Sequence, residues 1–173
     1  MANPLKALIQ TPSFARLRRN HGLEHATIHV LSRKYPRVGL AGHSSPSGFW
    51  IFADLDADQV LEGVQTALQR LRAGERGLAI HPNCGTNLVT SGMAAGVAGA
   101  IAMAGSGPRS RDRLERLPLA GLLATVALLL AKPLVTRLQQ YVTTSGDPGD
   151  LEILDIQTQI RAGVTAHRVT TRS

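Results

Sequence analysis

The sequence predicts an α+β fold: a small portion of mixed helices and short strands joined to a two-helix transmembrane hairpin. Three observations carry this expectation. A helical pattern without a break runs from Thr11-Pro12 to Arg33. Short alternating stretches bounded by Gly, Ser and Pro occupy residues 37–55 and 151–171. Two stretches, residues 88–104 and 117–131, contain no charged residue.

The first helix is expected from Thr11 as N-cap with Pro12 in the first turn, where a missing N–H costs nothing. Leu17, His21, Glu24, Ile28 and Leu31 recur at steps of three and four, which places them on one helical face. Tyr35-Pro36 ends the helix, because the residue before proline avoids helical dihedrals. Gly22 inside this helix carries a cost of about 1 kcal/mol relative to Ala, so its small size points to a close neighbour.

Residues 37–55 read as two strands joined by the turn at 44–48. Asp56 and Gln59 form a capping-box pattern ahead of the apolar stripe Val60, Leu61, Val64, Ala67, Leu68 and Leu71, and Gly74 closes that helix. A third short strand is expected at residues 78–80. The apolar stretches 88–104 and 117–135 are close to the minimum length of a spanning helix, about 17–20 residues, and the segment between them reads as a short basic loop. Gly92, Gly96 and Gly99 would give the first of them a small-residue face for packing on the second. After Tyr141 comes a turn-rich stretch. The segments LEILDI and VTAHRVTT then read as strands that could return to the first two and complete a sheet. The expected organisation is an α+β portion over residues 1–85, the hairpin over 86–142 and a C-terminal segment over 143–173.

Composition narrows the partners. The chain has 173 residues, a formal charge of +7 and only 3 % aromatics. Its basic residues are spread along the sequence without interleaved aromatics, which argues against nucleic acid and fits the flanks of membrane helices. Lipid is the expected partner, with a protein or peptide substrate or partner near the membrane and an oligomer formed through the glycine-rich face. One cysteine excludes an internal disulfide. Residues 1–20 contain no continuous apolar core of a secretory signal. The expected location is the inner cell membrane, crossed twice, with both termini cytoplasmic.

The chemistry concentrates in two short motifs. In HGLEH, His21 and His25 lie four apart, so on a helix their imidazoles share one face. With Glu24 they form the order H-x-x-E-H, in which the histidines hold a metal and the glutamate serves as general base on a metal-bound water. In HPNCGTN, His81 and Cys84 lie three apart in a Pro/Gly turn, with Thr86 or Asn87 expected to cap the apolar helix that follows. Imidazole and thiolate both suit zinc, and a helix N-terminus favours the thiolate. His21, His25, His81 and Cys84 are therefore the expected ligands of zinc or a similar divalent metal, with Glu24 as the catalytic residue. His29, His43 and His167 remain as spare histidines or as supports behind the ligands. Two function classes fit: a metal-dependent hydrolase, peptidase-like, or a non-enzymatic membrane assembly or regulatory protein with a closed structural metal site.

H-G-x-E-H followed by H-P-x-C-G-T ahead of an apolar helix resembles the uncharacterised bacterial membrane proteins called YqhQ, described as metal-dependent. The string HGLEHATIHVL also resembles a smaller bacterial family with a domain of unknown function. The matching positions are His21, Gly22, Glu24, His25, Ile28, His81, Pro82, Cys84, Gly85 and Thr86. The resemblance spans about residues 20–90 and implies a metal site without naming a substrate.

Overall fold

A computed structural model describes residues 11–107, 109–161 and 163–173, with the Arg161 side chain outside the description. The sequence reading of residues 1–10 lies outside the described residues. The elements are helix α1 (Pro12–Lys34), strands β1 (Ala41–Ser45) and β2 (Gly48–Phe52), helix α2 (Ala57–Arg72), a 3-10 turn (Arg76–Ala79), helices α3 (Gly85–Met103) and α4 (Ser110–Leu138), a π turn (Gln139–Thr143), and strands β3 (Glu152–Arg161) and β4 (Val164–Arg172). The chain is thus α+β, as expected. It divides into two units: one runs to His81 and resumes at Gln140, and the other is Pro82–Gln139.

In the first unit the four strands form an antiparallel sheet in the order β1-β2-β4-β3. The C-terminal strands do return to the N-terminal pair, through Ile51 opposite both Gly42 and His167. Strand alternation turns Phe49, Ile51 and Val169 inward. There they meet Leu23, Ala26 and Leu31 of α1 and Val60, Val64 and Leu71 of α2, in one continuous core. Fully burying an aliphatic or aromatic side chain of this kind contributes about 1.5–3 kcal/mol. The capping box at Asp56 and Gln59 is formed, with the Gln59 side chain accepting from the Asp56 amide at 2.9 Å.

Asn20 explains how α1 is fixed to the sheet. Buried on α1, it donates to the Ser45 carbonyl at 3.0 Å and accepts from the Thr171 hydroxyl at 2.6 Å. Both polar ends of the amide are engaged, so its burial carries no unpaired penalty.

The second unit is a helical hairpin. Both helices are long and apolar enough to cross a membrane, yet only 6 % and 11 % of their most apolar windows is buried. A core helix of a soluble protein would be mostly buried. Here Leu88, Met93, Leu122, Leu130 and Leu134 stand exposed, and contiguous apolar surface of this kind marks a lipid or partner face. Arg116 closes the C-terminal end of α3, donating to the carbonyls of Ala102 at 3.2 Å and Ala104 at 2.8 Å. At the opposite end Gln139 donates to the side chain of Asn87.

Several expectations need correction. Residues 78–80 are not a strand: Arg76–Ala79 form a 3-10 turn. Much of the presumed basic loop is helical, because α4 begins at Ser110, where Arg111 and Glu115 pair at i,i+4. Cys84, rather than Thr86 or Asn87, caps α3. Gly92, Gly96 and Gly99 do not pack on the second helix, since a Cβ at any of them would meet nothing within 4 Å. The less exposed positions of α3 are Thr86, Asn87, Thr90, Ser91, Ala94, Ala95, Ala98, Gly99, Ala102 and Met103.

Candidate metal centre

The i, i+4, i+8 spacing of His21, His25 and His29 places three imidazoles along one face of α1, one turn apart. The rings of His21 and His25 lie 4.3 Å apart between centroids. His81, at the end of the segment that follows the 3-10 turn, enters the row between the other two: its ring is 5.6 Å from His25 and 4.9 Å from His29. The row thus gathers four of the six histidines of the chain, all six of which lie in the first unit.

The protonation pattern of these rings follows from their partners. His25 Nδ1 lies 2.8 Å from the Ala79 carbonyl, His21 Nδ1 lies 3.0 Å from the Thr143 carbonyl, and His29 Nε2 lies 2.9 Å from the Ile80 carbonyl. A carbonyl oxygen only accepts, so each of these ring nitrogens carries the proton. In the neutral ring the opposite nitrogen then holds the lone pair: Nε2 of His21, Nε2 of His25 and Nδ1 of His29. Metal-ligating histidines show the same arrangement, with one N–H given to a carbonyl and the other nitrogen on the metal.

The donor set fits a metal in type and in spacing. One ligand nitrogen of His21 and one of His25 lie within 4.8 Å of each other. On a tetrahedral zinc at ~2.1 Å, two nitrogens stand about 3.4 Å apart. His25 is 2 % exposed, so its ring is held within the core. Cys84 belongs to the second unit, where it is buried and caps α3. It lies three positions after His81, so the chain alone keeps the two Cα atoms within about 11 Å.

Glu24 is also buried, at 4 % exposure. Its carboxylate accepts the hydroxyl proton of Ser44 and lies over Gly42, where a Cβ would overlap it. The charge therefore faces β1. His167 stands apart from the row as a satisfied core histidine, giving Nε2–H to the Ala53 carbonyl at 3.3 Å and accepting from the Thr158 hydroxyl at 2.8 Å on Nδ1. His43 is exposed on β1, opposite Trp50.

Sequence reading left His29 as a spare or supporting histidine, although its four-residue step from His25 placed it on the same face. It also missed Ser44, Ala79, Ile80 and Thr143, whose hydroxyl and carbonyls orient the site. Carbonyl partners leave no mark in residue type, so only the fold exposes them.

Fold and site together define a class: an α+β unit with a row of histidines, joined to an apolar helical hairpin. The chain belongs to the family described as "Domain of unknown function (DUF6391)", whose model matches residues 16–156. An uncharacterised protein of Picosynechococcus sp. is 38 % identical over 151 residues, covering 82 % of this chain and 71 % of that relative. No solved structure matches the chain.

Proposed function

We propose that this chain is a membrane protein that binds a divalent metal, zinc by the chemistry of its donors. His21 and His25 are the primary ligands, His81 is the third nitrogen donor, and Cys84 supplies sulfur from the turn three residues further on. The observation that carries this reading is the pair of neighbouring imidazoles on α1, packed edge to face, each giving Nδ1–H to a backbone carbonyl so that its lone pair lies on Nε2. The motif likeness to YqhQ-type proteins supports a metal site. The hairpin crosses the inner membrane twice, with both termini in the cytoplasm and lipid as its partner. The open glycine face of α3 is its site of self-association.

Two forms of the site follow from the same donors. A catalytic site keeps an open position for water, with Glu24 as general base in hydrolysis of a membrane-proximal peptide. A structural site is closed by four protein ligands. The carboxylate of Glu24 is already engaged by Ser44, which favours the structural form and a role in assembly or regulation. Cobalt substitution separates the two. A four-coordinate spectrum that is unchanged by added anions marks the closed form. A spectrum that responds to anions marks an open position and revives hydrolysis.

A further inference from the structure

We infer that Arg18 is a positioning residue for the ligand His21, acting through the segment that leaves the second apolar helix. This rests on the reading of His21 as a ligand. Residues 141–145 run from the π turn that ends α4 along one side of α1. Arg18 Nη2 donates to the carbonyls of Tyr141 at 3.2 Å and Thr144 at 2.9 Å. The Ser145 amide returns a bond to the Arg18 carbonyl at 2.9 Å. Gly22 leaves the space for this approach, since a Cβ there would overlap the Ser145 carbonyl oxygen.

Thr143 is therefore bracketed by Tyr141 and Thr144, the two residues that the guanidinium holds. Its own carbonyl is the acceptor for His21 Nδ1–H. Fixing that oxygen fixes which nitrogen of His21 carries the proton, and so which nitrogen can meet a metal. The arrangement is kept at a cost. Arg18 Nε and Thr143 Oγ1 are buried polar atoms without a hydrogen-bond partner, and burial lowers the Arg18 pKa. The π turn at Gln139–Thr143 is a feature frequent at functional sites. Because coupling is reciprocal, a metal on His21 must also tighten the segment that ends the helix.

The test compares wild type with Arg18→Met, which keeps the aliphatic stem and loses both guanidinium bonds, and with Arg18→Lys. Nitrogen NMR of the metal-free protein reads the His21 tautomer, and competition with a chelator reads zinc affinity. Arg18→Met is expected to mix Nε2–H into the His21 population and to weaken zinc 10- to 100-fold, with Arg18→Lys between. A folded Arg18→Met protein with the wild-type tautomer and affinity overturns the inference. If that variant does not fold, amide exchange in the wild type decides. Slower exchange at Ser145 with zinc supports the coupling, and unchanged exchange overturns it. Wild type that binds no zinc removes the ligand reading, whereas the metal-free tautomer comparison still decides the role of Arg18.

Discussion

The imidazole of His25 and the carbonyl of Ala79 meet at 2.8 Å in a buried contact that joins the middle of α1 to the end of the 3-10 turn. The contact orients the ring and fixes its proton on Nδ1. His25→Ala is therefore expected to lose zinc and to leave a buried carbonyl unpaired, at about 1–3 kcal/mol. Chemical denaturation alongside metal analysis checks both effects, and a variant that keeps its zinc excludes His25 as a ligand.

Glu24 offers a separable test. In Glu24→Gln the amide oxygen can still accept the Ser44 hydroxyl, so the fold and bound zinc should be retained. Should a hydrolytic substrate be found, turnover should vanish in this variant if Glu24 is the base. Retained turnover removes Glu24 from that role, and lost zinc would make it a ligand.

Three glycines should behave differently toward alanine, for steric reasons. At Gly22 the new Cβ collides with backbone, the Ser145 carbonyl, which cannot move without pulling the segment off α1. A cost of about 2 kcal/mol, or a melting shift near 4–8 °C, is expected. At Gly42 the new Cβ displaces the Glu24 carboxylate, a flexible end, and the loss should be smaller. At Gly92 nothing lies within 4 Å, so helix propensity alone should act and stabilise by up to ~1 kcal/mol. Thermal melts in one detergent give the order, and a neutral Gly22→Ala would contradict the close approach.

The ion pair of Arg70 and Glu75 gives a pH signature. Hydrogen bonds from Arg70 hold the Glu75 carboxyl below its ordinary value. A carboxyl lowered in the folded state adds stability above its unfolded pKa and loses that contribution as pH falls through the lowered folded value. Both groups are exposed to solvent, so the stability effect should be slight. The clearer readout is carbon NMR: the Glu75 midpoint should rise toward the ordinary carboxylate range in Arg70→Met.

Local chemistry made much of the fold legible in the sequence. Pro12, the Asp56–Gln59 box and the Ser/Pro/Gly turn act within a few residues, so α1, α2 and the β1-β2 hairpin could be read directly. Residues 78–80 misled because three apolar residues in a row fit a strand and a 3-10 turn equally well. Residues 110–116 misled because arginines read as a loop, although Arg and Glu favour helix and Arg111–Glu115 sits at helical spacing. The histidine pair was legible as a motif, but its tautomers were not. The carbonyls that set them lie 54 and 122 residues away for His25 and His21, and depend on the turn at Ala79 and the segment after α4.

Metal content of the detergent-purified protein tests the central claim most directly. Mass spectrometry should find about one equivalent of zinc in the wild type and little in His25→Ala or Cys84→Ala. A wild type that stays metal-free after zinc repletion would contradict the account.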